Sequence, residues 1–162
     1  MIRLRAFRPG DEPALRAVYT SAIREVACHD YTPEQVDAWA PLEWDDEDLA
    51  AWAVRMAGVQ PFVAEIDGVV VGYADLQPNG YIDHFFVAGN AGGRGVGGVL
   101  MRHVLAQAEA RGLAELSSDV SVTAQPFYAH FGFEIVEQRM PVIDGVALRN
   151  ALMRKLLRAS PA

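Results

Sequence analysis

The chain has 162 residues, 51% hydrophobic and 22% charged, which is enough for one domain with a substantial core and too little for two ordinary ones. A net charge of −7 without a basic run argues against general nucleic-acid binding, which depends on neutralising phosphates, and no apolar run is long enough to span a bilayer. The single cysteine, Cys28, rules out an intrachain disulfide and any zinc site built on several cysteines.

The first residues, "MIRLRAFRPGDE", have neither the apolar core nor the small-residue cleavage site of a signal peptide, so a cytoplasmic location is expected. "IRLRAF" alternates apolar and charged residues and reads as a strand. "PGDEPALRAVYTSAIREVA" then offers Asp11 as N-cap and Pro13 in the first turn, and brings Leu15, Val18, Ala22 and Val26 onto one helical face. Cys28 and His29 are neighbours that point in different directions on a helix, so Cys28 reads as a small buried residue rather than a nucleophile. "YTPEQVDAWA" places Thr32 as N-cap, Pro33 at the first helical position and Gln35 three after the cap, predicting a short helix that ends near Pro41. A third helix is expected from Asp46 to about Ala57, its acidic start from Asp45 to Asp48 favoured by the helix dipole.

"PFVAEIDGVVVGYADLQ" sets Asp67-Gly68 between two strand-like runs, the strongest short-range hairpin signal. "YIDHFFV" at 81–87 reads as a third strand of this meander. Strict alternation there puts Tyr81, Asp83, Phe85 and Val87 on one face and Ile82, His84 and Phe86 on the other. From Val96 a helix carries Val96, Leu100, Met101, Val104, Leu105 and Ala108 on one broad face and stops at Gly112. "LAELSSDV" reads as a strand, "TAQPFYAHFG" as a short helix ended by Gly132, and "FEIVEQRMPVI" as another strand. For 146–157, "VALRNALMRKLL", propensity favours helix while a final strand would complete the sheet, and both stay open. Residues 158–162 read as a frayed tail. The four histidines form no i, i+4 pair, so no metal is expected.

Six glycines fall within residues 89–98, just ahead of the long helix. Glycine lets a ligand approach the backbone, and the first-turn amides of a helix have no partner within it, so the place suits an anion. A triphosphate loop is set aside because Gly97-Gly98-Val99 supplies neither lysine nor hydroxyl and the only lysine is Lys155. Gly93, Gly95 and Gly98 satisfy G-x-G-x-x-G with Asp119 about twenty residues on, so a dinucleotide-binding domain is an alternative. Against it, residues 88–92 separate the fingerprint from its strand, and only some 43 residues follow Asp119 for the rest of a doubly wound sheet.

The order of elements, with Gly95-Val96-Gly97 at the helix start and "FYAHFGF" after the next strand, resembles the GNAT N-acetyltransferase superfamily over nearly the whole chain. The resemblance implies an α+β (mixed α/β) GNAT fold spanning 1–157 as one domain. Its central mixed, mostly antiparallel sheet has about six to seven strands flanked by helices, and a splayed strand pair holds the cofactor. In the family signature Q/R-x-x-G-x-G/A, Arg94 sits where a basic residue commonly precedes G-x-G, and Gly92 replaces the usual Gln or Arg. In the second signature, Ser121 replaces Asn, while Ala124, Phe127, Tyr128, Gly132 and Phe133 match.

The resemblance further implies acetyl-CoA as cosubstrate and direct transfer of its acetyl group to a primary amine in a ternary complex. Backbone groups from Gly93 to Gly98 would take the pyrophosphate, those of Phe85, Phe86 and Val87 the pantetheine and the acetyl oxygen, and the Tyr128 hydroxyl would face the sulfur. An alkyl ammonium of pKa ~10.4 is neutral about once in a few thousand molecules at pH 7, a handicap of ~4–5 kcal/mol that calls for a base. Asp83 falls where some family members carry one, His84 is the chemically easier base, and Asp75 and Glu65 are reserves. Tyr31, Trp39, Trp44 and Asp75 would wall the acceptor pocket. Expected partners are a small-molecule or peptide amine, with a homodimer allowed and neither nucleic acid nor membrane. The competing class is a non-catalytic acyl-CoA-binding or sensing module on the same fold.

Overall fold

A computed structural model describes residues 1–157; the tail expected at 158–162 lies outside the described residues. The alternating N-terminal run forms β1 (Ile2–Ala6), antiparallel to β2 (Phe62–Ile66), which pairs with β3 (Val69–Ala74). Asp67 and Gly68 both take positive φ, 51° and 78°, which gives the two-residue turn that matches strand twist. β3 then pairs with β4 (Phe85–Val87) and completes a four-stranded antiparallel half-sheet.

The second half-sheet runs β5 (Glu115–Ser121), β9 (Asn150–Leu156), β6 (Glu134–Arg139). The ambiguous 146–157 segment is therefore strand. Between two antiparallel partners β9 satisfies its backbone groups on both edges and buries Ala151 and Met153, which outweighs its helix propensity. The strand expected over 133–143 is shorter than the pattern suggested. It breaks after Arg139, and a separate hairpin of β7 (Val142–Ile143) and β8 (Val146–Ala147) turns at Asp144 and Gly145, both with positive φ.

The four- and three-stranded halves meet at one parallel bridge between Tyr81 and Ser117, where the Ile82 amide donates to the Ser117 carbonyl at 2.8 Å and the Ser117 amide to the Gly80 carbonyl at 3.0 Å. Gly80 has φ 87°, and a Cβ on it would stand 2.3 Å from the Glu115 carbonyl oxygen, so the seam requires glycine there. Beyond Ser117 the strands part.

Helices cover both faces. α1 (Glu12–Ser21) runs into a wider π-helical turn at Ala22–Val26 and a 3-10 turn at Ala27–His29, where one continuous helix was expected. Asp11 stands at the N-cap position without capping. Its carboxylate instead accepts from both terminal nitrogens of Arg5, each at 2.8 Å, and from the Arg8 amide, because a bidentate charged partner outcompetes a lone amide. α2 (Pro33–Trp39) carries the expected Thr32–Gln35 capping box. α3 (Asp46–Val59) has a second box between Asp45 and Asp48 and runs two residues past the expected end. Leu15, Val18, Trp52, Met56, Val63 and Tyr73 pack α1 and α3 onto one face of the sheet. α4 (Val96–Ala110) buries Val96, Leu100, Met101, Val104 and Ala108 against the other face, and α5 (Gln125–His130) joins that core through Tyr128. No helix among the described residues is long and apolar enough to cross a membrane.

Candidate active site

The parting of β4 from β5 exposes backbone. The His84 carbonyl accepts from Asp75 and the Ala88 amide donates to Val71, so in this antiparallel ladder residues 84, 86 and 88 face β3. Phe85 and Val87 therefore direct their amides and carbonyls the other way, into the gap. A cleft of about 210 Å³ opens there between Phe85, Phe86 and Val87 on one side and Ser121 and Ala124 on the other. Ala22 of the π-helical turn, Ala27 of the 3-10 turn after it and Gly92 of the glycine loop also line it. The Ser121 hydroxyl accepts from the Ala124 amide at 3.2 Å and so holds the turn into α5.

Gly93 and Gly95 take positive φ of 77° and 83°, and Gly95 stands at the N-cap of α4. The first amide of α4 bonded within the helix is that of Val99, to the Gly95 carbonyl, so the amides of Val96, Gly97 and Gly98 have no intrahelical acceptor. Gly97 serves packing as well: a Cβ on it would lie 3.1 Å from the Phe127 ring. Gly98 lies against the Arg102 guanidinium. Arg94 points to a separate groove lined also by Glu25, Asp67 and Asn90.

A second cavity of about 260 Å³ has aromatic walls, Tyr19, Tyr31, Trp39, Trp52 and Phe86, and carries Arg55, Asp83, His84, Asp119 and Asn150. It shares Trp39, Phe86 and Ser121 with the cleft. The Tyr31 hydroxyl donates to the Arg149 carbonyl at 2.6 Å and accepts from the Val122 amide at 2.9 Å, tying the start of α2 to the ends of β5 and β9. Trp44 lies instead in a neighbouring hollow, under the Arg16 guanidinium.

Asp83 and His84 both reach this cavity, against the expectation that they occupy opposite faces. Residues 82–84 are irregular rather than strand, because the Asp75 carboxylate accepts from the Asp83 and His84 amides at 2.9 and 2.7 Å in place of a ladder partner. Ile82 accordingly joins Phe85 and Val87 in the core under α4, and the next two side chains turn the other way. Asp75 is thus buried behind the site, bonded also to the Gln77 amide group, and burial pushes its carboxyl above the usual range. Glu65 lines neither cavity; it pairs with Arg5 at 3.0 Å between β1 and β2.

His84 is 4% exposed, and its Nδ1 lies 3.2 Å from the Tyr73 hydroxyl. Tyr73 is fully buried, which raises its pKa well above the ordinary phenol value, and its O–H has no other partner among the described residues. On that network the hydroxyl donates to Nδ1 and the imidazole proton sits on Nε2. Nε2 is 3.6 Å from the Asp83 carboxylate, too long for a hydrogen bond, and has no partner among the described residues. Burial lowers the His84 pKa to about 4, against the pull of Asp83, so the ring is neutral at pH 7. Asp83 is 28% exposed at its side chain and faces Arg55 at 3.3 Å.

Tyr128 lines neither cavity. It is 3% exposed, packed edge-on to Phe85, Phe127 and Phe133, with its hydroxyl beside Ser118, and burial raises its pKa. The sequence reading missed Tyr73, Tyr19, Arg55 and Asn150. The hairpin register could have found Tyr73, which pairs with Phe86 across β3 and β4; Asn150 could not be found while its segment was undecided.

Residues 27–151 match the family model described as acetyltransferase (GNAT) domain. The uncharacterized N-acetyltransferase YafP of Escherichia coli (strain K12) is 32% identical over 153 residues, 94% of this chain and 95% of its own. A GCN5-related N-acetyltransferase structure from Rhodopseudomonas palustris aligns with a TM-score of 0.89 at 33% identity, covering 96% of this chain and 95% of that one. YncA from Salmonella typhimurium, solved with its cofactor acetyl-CoA, has the same fold at a TM-score of 0.70 and 21% identity, covering 100% of this chain and 97% of its own. Motif order, splayed sheet and sequence likeness agree: the chain belongs to the GNAT N-acetyltransferase family.

Proposed function

We propose that the protein moves an acetyl group from acetyl-CoA to a primary amine on a small molecule, by direct attack within a ternary complex. The observation that carries this reading is the junction of the two cavities at Trp39, Phe86 and Ser121. A thioester lying along the cleft and an amine in the aromatic cavity would meet there. The acetyl-CoA bound by the Salmonella relative supports the choice of donor.

Each chemical task has a group suited to it. The free amides of Val96, Gly97 and Gly98 receive the pyrophosphate at the positive end of α4. The gap-facing amides of Phe85 and Val87 hold the pantetheine and donate to the acetyl oxygen as it becomes an oxyanion. The acceptor ammonium first gives a proton to Asp83, directly or through water; the neutral nitrogen then bonds to the carbonyl carbon, and as the carbon–sulfur bond breaks it sheds its second surplus proton to water. The departing thiolate takes a proton from Tyr128, as the family resemblance implies; its hydroxyl is buried behind Phe85 and reaches the sulfur only when that ring shifts as acetyl-CoA fills the cleft. His84, neutral and fixed by Tyr73, lines the cavity beside Asp83, whose carboxylate is held by Arg55.

The second reading, acyl-CoA binding without turnover, draws on Gly92 and Ser121, which lack the cofactor-contacting side chains of the family signatures. Thiol release from acetyl-CoA across a panel of small amines separates the two, with the product amide identified by mass. Amine-dependent release is expected. Acetyl-CoA binding with no release on any amine would replace the enzyme reading by the binding one.

A further inference from the structure

Arg55 stands on α3 one turn after Trp52, and both residues line the aromatic cavity. Its guanidinium meets Asp83 through one terminal nitrogen alone, 3.3 and 3.4 Å from the two carboxylate oxygens, and its other two nitrogens have no partner among the described residues. The pair is open to solvent, with the Arg55 side chain 56% exposed. An ion pair so long and exposed contributes little to stability. Nor does it place its members, because the Asp75 carboxylate already holds the Asp83 amide, and Trp52 and Met56 anchor α3. A loose pair of opposite charges thus stands in a ligand-sized cavity with donors to spare.

Charge in the cavity points the same way. Of its two acids, Asp119 is committed to the Tyr81 hydroxyl at 2.7 Å and to Arg139 at 2.8 Å, which leaves Asp83 to face two cationic residues of the lining, Arg55 and Arg149. A simple amine enters as a cation and adds to that excess, whereas a molecule that carries its own carboxylate beside the ammonium offsets it. Standard bond lengths and angles put an α-amino nitrogen about 2.5 Å from its carboxylate carbon, comparable with the 3.3 Å between Arg55 and Asp83. The two charges of an α-amino acid can therefore face the opposite charges of the pair together, ammonium to Asp83 and carboxylate to the free nitrogens of Arg55. The aromatic walls remain for its side chain.

We propose that the acceptor is a free α-amino acid with an apolar side chain, its carboxylate recognised by Arg55. This deepens the acetyl-transfer reading and rests on it. The cavity of about 260 Å³ lies just below the range of drug-sized ligand sites, which suits one amino acid better than a peptide. A peptide N-terminus also lacks the charge that Arg55 reads, since its first carboxyl is a neutral amide.

Phenylalanine, methionine and leucine, each paired with the amine left by removing its carboxylate, provide the test, and the amide of the preferred amino acid stands for a peptide end. Binding is read near pH 6, where all these amines are charged, from tryptophan fluorescence, since Trp39 and Trp52 wall the cavity. Transfer is read from thiol release, with the product identified by mass. At least one amino acid is expected to bind at least about tenfold more tightly than its amine, the size of a charge-assisted hydrogen bond, and its amide to bind as weakly as the amine. Arg55→Gln should bring the ratio close to one, and Arg55→Lys, which keeps the charge without the fork, should retain part of it. Both variants change an exposed helix position, and comparing two ligands within each protein cancels any shared effect on Asp83. Equal binding within all three pairs, no binding of any ligand, a ratio that survives Arg55→Gln, or an amide bound as tightly as its acid would overturn the proposal. Amine-dependent thiol release with no preference for the amino acids would sink the specificity and leave the acetyltransferase reading intact; tight, Arg55-dependent binding of amino acids without release on any amine would do the reverse.

Discussion

The Tyr73 hydroxyl and His84 Nδ1 lie 3.2 Å apart inside the protein, and each is the other's only side-chain partner among the described residues. Tyr73→Phe removes the donor and leaves a buried ring nitrogen unsatisfied. Urea denaturation should show a loss of about 1–3 kcal/mol, and nitrogen NMR of His84 should report a shift from the Nε2–H tautomer toward Nδ1–H. An unchanged tautomer would mean that the cavity, not Tyr73, sets it.

Burial of neutral His84 also makes stability depend on pH. Its folded pKa of about 4 lies below the unfolded value near 6.5, so the unfolded chain binds the extra proton between those values. The stabilisation is complete above about pH 6.5 and falls as pH drops toward 4, by at most roughly 3 kcal/mol. Denaturation midpoints across that window should fall more steeply for the parent than for His84→Gln. Parallel curves would show that His84 titrates normally.

Assignment of the base turns on two variants. Asp83→Asn should depress kcat/KM at neutral pH and remove the enzyme-borne acidic limb of the profile, while His84→Gln should leave that limb in place. Two acceptors of different amine pKa are needed, because a substrate-borne limb moves with the amine and an enzyme-borne one stays. If only the histidine variant loses the limb, the base is His84.

Gly92 offers the cleanest test of cofactor binding. It has φ −62° and ψ 144°, open to any residue, and the nearest atom to an added Cβ is 3.8 Å away. Gly92→Glu should weaken acetyl-CoA binding at least tenfold by calorimetry, and Gly92→Arg, which restores the side chain usual in the family signature, should strengthen it. Gly97 is the poorer choice, since any side chain there meets Phe127 and disturbs the core. Equal affinities in the two Gly92 variants would put the pyrophosphate elsewhere.

Tyr128→Phe should lower kcat by about 10–1,000-fold with little change in acetyl-CoA affinity, the pattern of a group that acts as the thiolate leaves. Its hydroxyl is protonated at pH 7, being pushed above the usual phenol value by burial. A kcat within twofold of the parent would make Tyr128 a packing residue of the Phe85–Phe133 cluster.

Much of this molecule was legible locally. Thr32 and Gln35 close a capping box within four residues, Asp67-Gly68 fold a hairpin on their own backbone preferences, and the glycines ahead of Val96 free three amides whatever lies around them. The family signatures, ordered along the chain, extended that reading to the residues on both sides of the cleft between β4 and β5. What tertiary structure decided were the competitions between distant partners. Asp11 could cap α1, but Arg5, brought alongside by β1, takes its carboxylate. Residues 146–157 could be helix or strand, and the open edges of β5 and β6 made them strand from Asn150 onward. Asp83 and His84 would alternate in a regular strand. Asp75, eight and nine residues away, holds both their amides and turns both side chains into one cavity. Propensity and alternation describe a segment on its own, whereas the side chain that finally satisfies a backbone group is chosen only when the rest of the chain has folded against it.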